Sequence, residues 1–313
     1  MKNSITIDFK HYIDTYINTL DRKEITKNSY KKILLQFEKY LWTNSINLPV
    51  KKDILGYKEY LSKSVRSATI QKTIVVLRGF FTYLDSEGIY KNILNGVRGV
   101  KIEPTFKRSA FTVNEVQMLI RKAKVQSINI EGKRNYSIVL LLATTGLRTI
   151  EVERANVIDL VDVRGDYRLY IQGKGHDDKD EYVKLSSDVY NALMDYIMNR
   201  NCENEALFIN HDRNYNGKRI TTRTIRRVVK ELIRQIGIDD SRYTTHSLRH
   251  SLATNLMLYG QGTLEETKQI LRHKDISTTQ LYNHSLKRSQ NNGELIMSEI
   301  LLKDMGDNNG NKD

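Results

Sequence analysis

The chain has 313 residues, enough for two domains that each bury a core, and its formal net charge of +13 directs it toward polyanions: nucleic acid, an acidic membrane surface or acidic proteins. Its single cysteine, Cys202, excludes an internal disulfide framework and a cysteine-rich zinc module, and is expected to be a small buried or half-buried side chain. The first twenty residues alternate charged and apolar side chains without the apolar core of a signal peptide, and no later run is long enough to span a bilayer, so a cytoplasmic protein with no membrane partner is expected.

Four helical patterns fill the first hundred residues, at roughly 7–20, 26–43, 51–63 and 68–86, each with apolar residues at three- and four-residue spacing. In "SYKKILLQFEKYLW", Ile33, Leu34, Phe37, Tyr40 and Leu41 share a stripe, with Lys31, Lys32, Glu38 and Lys39 toward the other side. The run "TIQKTIVVLRGFFTYL" is apolar around more of its circumference and is expected to be the most buried of the four. Residues 1–105 hold 18 Lys+Arg against 10 Asp+Glu, so +8 of the +13 lies in this smaller part, as suits a helical bundle that grips a nucleic-acid backbone. The glycines, proline and basic cluster of "GVRGVKIEPTFKRSAF" then read as a linker. The expected division is a helical DNA-clamp domain at 1–100, a linker at 101–110, a second domain at 111–290, and a C-terminal helix with a polar tail at 291–313.

The second domain opens on a capping box, Thr112 and Glu115, with Phe111 and Val116 as its hydrophobic staple. A buried helix follows, then a tight turn at Thr145-Gly146 and a new helix near Arg148. The stretch "YRLYIQGKGHDDKDEYVKL" reads as two alternating strands around a Gly-Lys-Gly turn. In "ITTRTIRRVVKELIRQIG", Arg223, Arg226, Arg227, Lys230 and Arg234 recur at helical steps opposite Ile225, Val228, Val229, Leu232, Ile233 and Ile236. One side packs, and the first four of those cations are expected to meet DNA phosphates. The fold class is therefore mainly α with a small β-sheet: an N-terminal helical bundle plus a mixed α/β domain.

The run "YTTHSLRHSLATN", residues 243–255, places His246 and Arg249 three apart on a helix beginning near Ser247. A His-x-x-Arg pair is uninformative alone, but Arg148 and Lys174 lie upstream of it, and His273 and Tyr282 downstream. Taken in order, "TTGLRTIEVE", "QGKGH", "THSLRHSLAT", "ILRHKD" and "TTQLYNHS" resemble the tyrosine recombinase (phage integrase) family over about 180 residues, with the basic helical segment in the place of the family's core-binding domain. Arg272 stands where the family commonly has a glycine before the histidine.

The resemblance implies a role for each residue. Arg148 and Arg249 clamp the phosphate, since guanidinium forks match oxygens that gather charge during attack, and His246 adds a hydrogen bond and handles a proton. Tyr282 is the nucleophile, its phenolate stabilised by the surrounding cations. Lys174 is the general acid for the leaving 5′-oxygen, with Lys179 on the same loop as the alternative. His273 bonds the phosphate, and Glu151 buttresses the site. The reaction implied needs no metal, ATP or other cofactor; a metal-dependent rival needs converging carboxylates, and "DDKDE" at 177–181 reads instead as a hairpin tip.

The implied partner is double-stranded DNA carrying a specific recombination site, gripped by a homotetramer on two duplexes, for integration or excision of a mobile element or for resolution of DNA. Type IB topoisomerase-like nicking and resealing, and a catalytically inactive DNA-binding accessory protein, are the alternatives. The early start of the core-binding helices suits a compact Xer-like or transposon-encoded recombinase. The apolar segment "GELIMSEILLKDM" is expected to dock, either on a neighbouring protomer or on its own domain.

Overall fold

The computed structural model describes residues 8–101, 109–173, 178–214, 216–259, 263–272 and 297. Expectations for residues 102–108 of the linker, for residues 174–177 between the expected strands, and for nearly all of the chain beyond 272 lie outside these residues. The chain divides into two compact units, Met1–Pro104 and Thr105–Asp313. No helix among the described residues is long and apolar enough to cross a membrane.

The first unit contains α1 (Phe9–Thr19), α2 (Glu24–Thr43), α3 (Lys51–Ser62) and α4 (Ser67–Ser86). Asp8 caps α1 by accepting from the His11 amide, and the stripe Phe9, Ile13, Tyr16 and Ile17 turns inward. Helix α4 touches each of the other three and buries residues from Ile70 to Leu84, as its wider apolar coverage predicts. Its Phe80 and Phe81 meet edge to face, 5.6 Å apart, at the centre of an aromatic cluster that includes Phe9 and Phe37.

The first helix of the second unit starts with the expected capping box. The Thr112 amide donates to Glu115 Oε2 at 2.7 Å and the Glu115 amide to Thr112 Oγ1 at 3.2 Å, starting α5 (Val113–Val125). Phe111 is fully buried; its amide donates to Ser251 Oγ at 2.6 Å and its carbonyl accepts from Asn255 Nδ2 at 3.3 Å. Helix α6 (Ile130–Thr145) contacts four other helices and the sheet, which explains why residues 137–142 are buried on every side. It stops at Gly146, whose φ of 62° is left-handed, and α7 (Thr149–Arg154) follows.

Among the described residues the sheet has three antiparallel strands in sequence order: β1 (Leu160–Val163), β2 (Asp166–Ile171) and β3 (Glu181–Leu185). Leu169 pairs with Leu160 on one side and Val183 on the other. Two features correct the sequence reading. β2 and β3 are joined by residues 172–180, longer than a Gly-Lys-Gly turn, and β1 is an additional strand. The turn before β2 carries the missed signal: Arg164 and Gly165 both have positive φ, 54° and 88°, the geometry of a two-residue hairpin.

Helices α8 (Ser187–Asn199), α9 (Thr222–Gln235), α10 (Thr245–Tyr259) and α11 (Leu264–Leu271) complete the described unit. In α9, Ile225, Val228, Val229, Leu232 and Ile233 are buried while Arg223, Arg226 and Arg227 are exposed. Cys202 is half-buried, as expected.

Candidate active site

Three local structures bring the site together. The left-handed Gly146 lets α6 turn sharply, so that Arg148 becomes the N-cap of α7. A Cβ at 146 would lie 2.9 Å from Leu252 Cδ2 of α10, so the glycine also permits close packing of the turn on that helix. Helix α9 is held to α7 where the Thr222 amide donates to the Glu153 carboxylate. The result is a cavity of about 780 Å³ whose lining includes Arg148, Arg226, Lys230, Thr244, Thr245 and His246. Two of the predicted catalytic residues and two of the predicted phosphate contacts thus face one space.

Arg148 is anchored by Glu151, which stands at the third position of α7. The Arg148 amide donates to Glu151 Oε2 and its Nη1 to Oε1, both at 2.8 Å. Glu151 is 1% exposed, and Oε2 also accepts from Arg272 Nη2 at 3.0 Å. Burial by itself would raise the Glu151 pKa, but the Arg272 charge and the hydrogen bonds from Arg148 outweigh it and hold the carboxyl below its ordinary value. Glu151 joins two guanidinium groups rather than one.

His246 and Arg249 differ in depth. His246, in the first turn of α10, is exposed and lines the cavity. Arg249 is 2% exposed, and its guanidinium donates to the backbone carbonyls of Gly146 and Leu271. It lies behind the turn that presents Arg148 and is not among the lining residues. The helix begins at Thr245, two residues earlier than expected.

The α9 cations also differ. Arg226 reaches Thr149 Oγ1 at 3.5 Å from an otherwise exposed position. Lys230 is half-buried, with Nζ donating to the carbonyls of Asp240 at 2.9 Å and Tyr243 at 3.4 Å, so it fastens the loop before α10 as well as lining the cavity. Arg223 and Arg227 are exposed outside the lining. Lys179 is paired with the buried carboxylate of Asp159. Lys174, His273 and Tyr282 lie outside the described residues. In sequence Arg272 stands out only as a departure from a family pattern; its approach to Glu151, 121 residues away, leaves no local signal.

Residues 109–289 match the phage integrase family, and residues 9–88 the phage integrase N-terminal SAM-like domain. The chain is 30% identical over 296 residues to tyrosine recombinase XerD of Oceanobacillus iheyensis, spanning 90% of this chain and 93% of that protein. In fold it is similar to the XerH site-specific recombinase bound to palindromic difH substrate in a post-cleavage complex, with a TM-score of 0.69 at 22% identity over 85% of this chain and 79% of that one. It is also similar to a lambda integrase in a tetramer bound to a Holliday junction, with a TM-score of 0.67 at 17% identity over 89% and 78% of the two chains. Both matched regions follow the division of the chain into two units, and the larger encloses the whole of the cavity: the chain belongs to the phage integrase family, the tyrosine recombinases.

Proposed function

We propose that this protein is a site-specific DNA recombinase that cuts and rejoins duplex DNA through a covalent 3′-phosphotyrosyl intermediate. The observation that carries the reading is the shared cavity of Arg148, His246, Arg226 and Lys230 inside the region that matches the family. A space lined by two arginines, a lysine and a histidine suits a phosphodiester, whose non-bridging oxygens gain charge as a nucleophile adds.

In the proposed reaction the Tyr282 phenol gives up its proton to His246 as its oxygen attacks the phosphorus, and the bond to the 5′-oxygen breaks, with Lys174 giving that oxygen a proton. Arg148 holds a phosphate oxygen from the cavity wall. Arg249 is assigned to the same phosphate group, a contact that requires its side chain to exchange a carbonyl partner for the phosphate when DNA binds. His246 and His273 add hydrogen bonds. A 5′-hydroxyl from another strand then attacks the phosphotyrosyl bond and releases Tyr282, so the energy of the broken linkage is retained and no ATP is consumed. Exposed Arg223, Arg226 and Arg227 are assigned to the flanking backbone.

The finer parts of the proposal are a homotetramer on two duplexes, a cytoplasmic location, and service to a mobile element or to DNA resolution. The tetrameric lambda integrase of similar fold supports the first of these. The test uses nicked duplexes tiled from the DNA flanking the gene, incubated with the protein in EDTA and resolved on a denaturing gel. A covalent protein–DNA adduct with the wild type, and none with Tyr282→Phe, is expected. An adduct that persists in Tyr282→Phe, or one that forms only when magnesium is restored, overturns the proposal.

A further inference from the structure

Arg272 caps α11 with φ 52° and ψ 49°, a left-handed conformation that a Cβ disfavours and that glycine adopts freely. An arginine at such a position invites an explanation in its side chain. That side chain is 10% exposed, reaches Glu151 Oε2 at 3.0 Å, and gives its other terminal nitrogen to the Ile270 carbonyl at 3.0 Å.

Charge decides what the contact does. The Glu151 carboxylate is fully buried and needs cationic partners to remain ionised. With Arg148 as its sole partner, the two would form a closed, neutral pair, and a DNA phosphate would have to compete with a carboxylate for the same guanidinium. With Arg272 present the cluster of two arginines and one glutamate is net positive. Arg272 occupies Oε2, where the Arg148 amide also bonds, and the Arg148 side chain gives Glu151 a single donor, Nη1 to Oε1. The rest of its five-donor fork is spared for the cavity, which Arg148 lines and Arg272 does not.

We infer that Arg272 is a positioning residue for strand cleavage: by engaging the second oxygen of Glu151, it keeps the Arg148 guanidinium available to a DNA phosphate. The inference rests on the recombinase reading of the cavity, and its experiment separates the two. Wild type, Arg272→Gly and Arg272→Lys are compared for single-turnover adduct formation on a nicked duplex at saturating DNA, for DNA affinity, and for melting temperature. Arg272→Gly removes the charge and relieves the backbone, so it is expected to form adduct about tenfold more slowly at a temperature well below the melting transition of every variant. Its DNA affinity is expected to change by no more than about twofold. Arg272→Lys restores a cation in the same backbone and is expected to recover most of the rate. An Arg272→Gly protein that cleaves at the wild-type rate, or a slowing equal in both variants with a matching fall in melting temperature, overturns the inference while leaving the recombinase reading intact. Absence of adduct from the wild type on every duplex defeats both.

Discussion

The guanidinium of Arg249 bonds the carbonyl of Gly146, two residues ahead of Arg148, and its other arm bonds the carbonyl of Leu271, next to Arg272. One buried side chain therefore ties α10 to the turn that presents Arg148 and to the end of α11. Truncation leaves two carbonyls without that donor and removes a buried cation. Arg249→Ala is expected to lose about 2–4 kcal/mol of stability in urea unfolding together with cleavage. His246→Ala, at an exposed position on the same helix, is expected to stay within about 0.5 kcal/mol of wild type while cleaving slowly. Equal stability of the two variants would contradict the difference in depth.

Gly146→Ala is expected to cost about 1–3 kcal/mol, because the left-handed backbone and the contact with Leu252 act together. Urea midpoints measure it. An alanine variant as stable as the parent would mean that the turn relaxes without cost.

The α9 cations separate by their partners. Arg223→Gln and Arg226→Gln are each expected to weaken DNA binding and to lower the slope of log affinity against log salt by about one. Lys230→Met removes the donor to the Asp240 and Tyr243 carbonyls, so it is expected to lower stability as well as affinity. A Lys230→Met protein with unchanged stability would show that these bonds do not hold the loop.

Acid lability is expected from two histidines. Burial lowers the pKa of both His211 and His250 below the ordinary 6.5, and for His211 the Arg134 charge adds to the effect. Each is neutral in the native state, whereas the unfolded chain takes up a proton as pH falls below 6.5; their contribution is therefore complete above that value and is lost progressively as pH drops through the lowered native pKa. The urea midpoint is expected to fall between about pH 7.5 and about pH 5.5, and His250→Gln is expected to flatten that fall. A parent midpoint that stays level across the interval would contradict the shifts.

Much of this arrangement is legible in the sequence, for local reasons. The α9 register follows from its strict segregation of arginines from Ile225, Val228 and Leu232, and the start of α5 from a complete capping box. The Gly146 turn is marked by the residue that a left-handed cap requires. Strand β1 has only four residues, too few for alternation to emerge, and its signal sits in the Arg164-Gly165 turn instead. The depth of Arg249 is not local at all. Helical spacing places it beside His246, but how far it sinks is set by carbonyls 103 and 22 residues away. The same holds for Arg272, whose partner belongs to α7.

The bonds from Phe111 to Ser251 and Asn255 give the second unit a mechanical property. Residue 111 is riveted to α10 just ahead of α5, at points about one and a half and two and a half turns beyond the residue that exposes its imidazole to the cavity. Any displacement of Phe111 is therefore passed to the histidine-bearing helix through two direct bonds.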